Sequence, residues 1–132
     1  MDMENRDRQR RKALKAQAAQ KAPERGVLCV HCLDTGRRGV IAAHNLHNVM
    51  QREKFLLRTG SHGCAQLQQD WQTYGEDAFE FIPLERWENE REDPNEDYDA
   101  RLLQRLDAWQ QKLRDEGYAL YSWPRSKRKV HA

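Results

Sequence analysis

The sequence predicts a small α/β (α+β) domain, with a mainly antiparallel three-stranded sheet flanked by helices and a long C-terminal helix covering it. Three observations predict it. Two short apolar runs flank the turn-forming Asp34-Thr35-Gly36, large apolar residues recur from Phe79 to Pro83, and Tyr98, Leu102, Leu106, Trp109 and Leu113 follow helical spacing.

Residues 1–25 are set apart as a basic arm, helical or disordered, because Leu14 is nearly the only large apolar side chain there and a helix would have little to bury. Pro23 and Gly26 end it. The domain spans residues 26–121. Gly26 to Leu33 is the first strand, from its Val27-Leu28-Cys29-Val30 run, and Arg37 to Ala43 is the second, so the two form a hairpin. Asn45 caps a helix that starts at Leu46, with Val49, Met50, Phe55, Leu56 and Leu57 as its apolar face and Gly60 as its close. A second helix runs from about Ala65 to Tyr74, with Leu67 and Trp71 on one face and Gly75 at its end.

The third strand follows at Phe79, Phe81 and Pro83, beside the hairpin; its two apolar faces at Phe81 and Ile82 place it in the interior of the sheet. An acidic loop with Pro94 leads into the long helix, whose stripe packs on the sheet and which Gly117 ends. Tyr118 to Trp123 reads as a short returning strand, and residues 122–132 as a basic disordered tail.

With 33% charged and 38% hydrophobic residues and a mean hydropathy of -1.08, the apolar groups must concentrate in these patterned segments to offset chain entropy. A net charge of +2 does not by itself imply nucleic-acid binding, but the distribution is uneven. Arg6, Arg8, Arg10, Arg11, Lys12, Lys15 and Lys21 crowd one end, and Arg125, Lys127, Arg128 and Lys129 the other. Glu85, Glu88, Glu90, Glu92, Asp93, Glu96, Asp97 and Asp99 form a block that repels phosphate. Three cysteines without an apolar leader point to a reducing cytoplasm. No run approaches the roughly 20 apolar residues of a membrane span, so no membrane partner is expected.

The segment 26–118 resembles the GIY-YIG nuclease superfamily, in the small stand-alone form found in bacteria. Asn45-Leu46, Arg52 to Phe55, Gly60-Ser61-His62, Leu67-Gln68, Asp70-Trp71, Tyr74-Gly75-Glu76-Asp77, Phe79-Glu80-Phe81 and Leu84-Glu85 carry the resemblance, with Trp109 and Gly117-Tyr118 falling at the final helix and its exit. The namesake tripeptides correspond to Gly26-Val27-Leu28 and Gly39-Val40-Ile41. In active members the resemblance implies a divalent cation, a hairpin tyrosine that activates water, an arginine on the first helix and a metal-holding glutamate on the later one. Here the tyrosine positions are Leu28 and Gly39, the arginine position is Val49, the glutamate position is Leu106 or, slipped by one, Asp107, and the terminal asparagine is Ala119. None of Leu28, Gly39, Val49 or Leu106 offers a proton acceptor or a charge. Arg52 lies three residues past Val49, nearly one turn on.

The expected function is therefore that of a nuclease-family protein with a degenerate site, binding nucleic acid weakly without family-type cleavage. No catalytic residue is assigned and no cofactor is expected. One alternative is an active DNA endonuclease that uses displaced residues and Mg²⁺ or Mn²⁺. The other is a protein-interaction module that meets another chain through the acidic loop or the basic ends. Arg37, Arg38, Arg52, Lys54 and Arg58 are the candidate nucleic-acid contacts, since guanidinium and ammonium groups suit phosphate without reading bases.

Cys29-Val30-His31-Cys32 has zinc-like spacing without a second pair, and on a strand Cys29 and Cys32 face opposite ways, so no metal site is assigned and the cysteines are expected to pack. Cys29 with His31 shares a face, and a site there would need His44, His47, His62 or Cys64 brought in by the fold. His44 and His47 are three apart, as neighbours on a helix surface would be.

Overall fold

The first hairpin closes at Gly36, whose φ of 75° suits a residue without Cβ. Gly36 N–H donates to the Cys32 carbonyl at 2.9 Å, and the Thr35 hydroxyl accepts from Arg37 N–H at 3.2 Å. The computed structural model describes residues 24–88, 92–122 and 130. The arm over 1–23 and most of the basic tail lie outside the described residues.

The elements follow in the order β1 (Arg25–Cys32), β2 (Arg38–Ala43), α1 (Leu46–Arg58), α2 (Ala65–Tyr74), a 3-10 turn (Glu76–Ala78), β3 (Phe79–Trp87) and α3 (Tyr98–Asp115). All strand pairs are antiparallel, in the order β2-β1-β3, so β1 is central. The expectation that the third strand is interior is thus corrected: β3 is an edge. Pro83 supplies the reason, because a residue without N–H breaks a ladder on one side and is tolerated where that side faces no partner.

β1 and β3 slip register between Val27, opposite Glu85, and Leu28, opposite Pro83. The extra residue at this bulge lets Leu84 and Glu85 both serve the α3 side, where Leu84 packs and Glu85 is held by Trp109. Gly26 sits against the bulged strand so tightly that a Cβ there would come within 1.9 Å of the Glu85 carbonyl oxygen. No other residue fits without moving the backbone.

Alternation along the strands divides the core in two. On one side Leu28, Val30 and Ile41 meet Val49 and Leu57 of α1 and Leu67 and Trp71 of α2. On the other, Val27, Cys29, Val40 and Ala42 meet Leu102, Leu106 and Leu113 of α3, so the expected stripe does pack on the sheet. Asn45 caps α1 as expected, its side chain accepting from Asn48 N–H at 3.1 Å. Gly75, with a φ of 86°, ends α2.

Two local readings change. Phe55, assigned to the apolar face of α1, is 63% exposed, while Glu53 is buried. Glu53 lies four residues from both Val49 and Leu57 and so shares their stripe. The returning strand reduces to one parallel bridge, Leu120 with Arg38, fixed by Arg38 N–H to the Ala119 carbonyl at 3.0 Å and Tyr121 N–H to the Arg38 carbonyl at 2.9 Å. Among the described residues no helix is long and apolar enough to cross a membrane.

Candidate nucleic-acid interface

The five cations picked from the sequence do not gather into one patch. Strand register sets Arg38 beside His31 on the α3 side, whereas Arg37 turns to the opposite side, 3.7 Å from the Asp70 carboxylate of α2. Arg58, at the end of α1, is taken by Glu76, which accepts from its Nε at 2.8 Å. The Lys54 ammonium stands 5.1 Å from the centre of the Phe81 ring. Arg52 is exposed and makes no ion pair or hydrogen bond among the described residues. Arg37 and Arg58 therefore face carboxylates, while Arg38, Arg52 and Lys54 meet none among the described residues.

The positions matched to catalytic groups are core positions. Leu28 and Val49 are fully buried together on the α1 and α2 side, and Leu106 is buried on the far side of the sheet. Gly39 is buried on β2, opposite Val30. The divalent cation that the resemblance implies does not fit here, because Leu106 offers no donor atom and Asp107 lies on the exposed face of α3. Among the described residues, no three His, Cys, Asp or Glu side chains are placed to hold a metal ion.

The cysteines are free and buried, Cys29 in the α3-side core and Cys32 and Cys64 in the other. Burial pushes the Cys29 thiol up to about 11, against a smaller opposing pull from Arg38. Burial likewise raises Cys64. Neither is a poised thiolate.

Polar groups that sequence reasoning did not connect are buried on the α1 and α2 side. His62 Nε2 meets the Glu53 carboxylate, and each of the two side chains is 4% exposed. His62 Nδ1 accepts from Cys64 N–H at 3.0 Å, which leaves the ring proton on Nε2, facing the Glu53 carboxylate. Gln68 braces the same corner, accepting from His62 N–H at 3.0 Å and donating to the Leu57 carbonyl at 3.0 Å. Tyr121 donates its hydroxyl proton to Asp70 at 2.7 Å, and burial, then that bond, raise its ionisation well above the ordinary phenol value. The four-residue spacing of Glu53 from Val49 was a legible sign of burial; the partners, nine and 51 residues away, were not.

Of the two histidines near the start of α1, only His47 lies on the helix, where it is exposed. His44 precedes the helix and accepts at Nδ1 from Arg25 Nε at 3.1 Å, while Nε2 faces Asp99 at 2.5 Å. Arg25 also grips Glu92 at 2.7 Å and covers the Tyr98 ring at 3.7 Å. The acidic loop is thereby tied to the start of β1 and the end of β2.

On β3, Glu85 accepts from Arg105 Nε at 2.8 Å, Trp87 Nε1 at 2.8 Å and Trp109 Nε1 at 3.2 Å. Burial alone would raise its carboxyl, but these hydrogen bonds outweigh burial and hold it below the ordinary value. It fastens α3 to the sheet.

No family model and no curated protein matches the chain. Two solved structures are similar in fold. The catalytic domain of the intron endonuclease I-TevI, in a single-site mutant, aligns with a TM-score of 0.58 at 20% identity over 75% of this chain and 92% of that one. A second structure of the catalytic domain of the homing endonuclease I-TevI gives a TM-score of 0.57 at 20% identity over 74% of this chain and 98% of that one.

Proposed function

From a GIY-YIG-like fold, the architecture it shares with that catalytic domain, we propose that this chain is a nucleic-acid-binding protein on a nuclease scaffold, without family-type cleavage. One observation carries the reading: the positions matched to the family's working groups hold core-packing side chains, Leu28 and Val49 on one side of the sheet and Leu106 on the other. Phosphodiester hydrolysis needs a proton acceptor, a cation against the developing charge and a stabilised leaving oxygen. Leucine and valine supply none of these, and restoring them would open the core.

Binding asks for less. Phosphate contact needs cations on a fixed frame with no acid to displace, and exposed Arg52 and partly buried Arg38 and Lys54 meet that requirement without base readout. Affinity is weak because the contacts are few, and it falls as salt rises because each contact releases counterions.

Supercoiled plasmid incubated with Mg²⁺ or Mn²⁺ is expected to stay intact, while a labelled oligonucleotide at low salt shows rising anisotropy that added salt reverses. Nicks that EDTA abolishes would replace this reading with an endonuclease using displaced residues. Flat anisotropy at low salt would replace it with a protein-interaction module.

A further inference from the structure

Among the candidate cations, Arg38 differs in being held in place with an enclosed donor and no acid. Its guanidinium carbon stands 3.8 Å above the centre of the Tyr118 ring, so the ring fixes the plane of the fork. Its Nε is enclosed and has no acceptor, and no carboxylate of the described residues pairs with it. Native structures rarely leave such a donor unused, and the exceptions usually mark a place for a water, an ion or a ligand.

The surroundings say which kind. His31 lies directly across the strand pair from Arg38, and its Nδ1 is 4.0 Å from the Glu80 carboxylate of β3. Glu80 and Tyr118 both reach solvent, so the site opens outward at the turn end of the hairpin. Two nitrogen-bearing side chains beside a solvent opening, one of them a rigid fork, match the tetrahedral oxyanion of a phosphate.

We infer that Arg38, stacked on Tyr118 and flanked by His31, forms a phosphate seat on the α3 side of the hairpin turn. The guanidinium takes two phosphate oxygens, and the His31 ring lies within reach of a third. The seat rests on the nucleic-acid reading for its physiological occupant, a phosphate of a polynucleotide, but its chemistry is that of any phosphate ester. The seat is separate from any contact on α1, lying on the opposite side of the sheet from Lys54. Burial, then the neighbouring Arg38, lower the proton affinity of His31 against the pull of Glu80, so an anion on Arg38 alters the ring's titration.

Two measurements test this. Inorganic phosphate titrated into the full chain and followed by NMR is expected to shift the His31 ring resonances saturably, and sulfate-free chloride at equal ionic strength is not. In anisotropy with single-stranded oligonucleotides, Arg38→Gln weakens binding about tenfold, the loss of a charge-assisted bidentate contact, while Arg86→Gln, an exposed cation at the far end of β3 from the hairpin turn, changes it less than about twofold. Tyr118→Phe keeps the ring and the affinity, whereas Tyr118→Ala loses most of it. A 5′-phosphate that strengthens binding only when Arg38 is present assigns the seat to a strand end; equal binding with and without it assigns the seat to an internal phosphodiester.

Unchanged His31 resonances together with normal oligonucleotide binding by Arg38→Gln would overturn the seat and leave the nucleic-acid reading standing. Saturable shifts with no oligonucleotide binding would keep the seat and remove that reading. The phosphate titration uses the unaltered chain, so the test survives even if Arg38→Gln fails to fold.

Discussion

On the side of α1 and α2 the sheet buries charge, pairing Glu53 with His62 and Asp70 with Tyr121, while on the α3 side Leu102, Leu106 and Leu113 close an apolar core and keep charged groups at the rim. The first arrangement consumes two of its cations, Arg37 against Asp70 and Arg58 against Glu76, and leaves Arg52 and Lys54 without an acid among the described residues. The second leaves Arg38 without an acid, stacked on an aromatic ring. The contrast teaches that a count of arginines is a poor guide to a binding face. What matters is which arginines the fold has already spent, and both sides spend some, as Arg105 on Glu85 shows for the α3 side.

The comparison predicts how the two sides respond to damage. Gly26 touches both, because it faces the β3 bulge while a Cβ would also meet Leu46 of α1, so Gly26→Ala should exceed any change confined to one side. We expect a loss above about 4 kcal/mol in urea unfolding, or no folded protein at all. A stable Gly26→Ala chain would mean that the β3 backbone yields easily there.

Next come the changes that set one side against the other. Glu53→Ala strands the His62 Nε2–H in the core without an acceptor and should cost about 1–3 kcal/mol. The joint replacement Glu53→Met with His62→Leu should recover most of that, since an apolar pair of similar volume avoids desolvation. Leu106→Ala on the α3 side should cost about 2–5 kcal/mol by leaving a cavity, with no partner change able to rescue it. If the Glu53 loss is not rescued, the pair does more than neutralise itself.

A smaller effect concerns pH. The folded Cys29 thiol is raised to about 11 from its ordinary value of 9.0, so its contribution to stability is complete below pH 9.0 and fades as pH climbs through about 11. Cys29→Ala should therefore flatten part of the decline in unfolding free energy across that window. In the native state at neutral pH all three buried thiols should react slowly with a thiol reagent, and rapidly once urea unfolds the chain.

The smallest expected effect is at Phe55. Because its ring faces water, Phe55→Ser should leave stability within about 0.5 kcal/mol. A large loss would restore the apolar-face assignment that the structure replaces.

Most elements were legible because their signals are local. The turn at Gly36, the cap at Asn45, the stop at Gly75 and the stripe from Tyr98 to Leu113 each follow from neighbouring residues and from helix or strand periodicity. The edge position of β3 was also encoded, in Pro83, but the apolar pair Phe81 and Ile82 argued for an interior strand more loudly. Phe55 and Glu53 were exchanged for a similar reason: hydrophobicity ranked the residues, while the phase set by Val49 and Leu57 decided them.

By itself the sequence determined the elements, their order and the architecture, since backbone geometry ties each to a period of a few residues. Only the tertiary structure decided which charges are spent. Arg37 meets Asp70, Arg58 meets Glu76, Glu53 meets His62 and Arg38 meets no acid among the described residues, and each outcome depends on where distant segments come to rest. Electrostatic pairing acts over a few ångströms in space and is indifferent to separation along the chain.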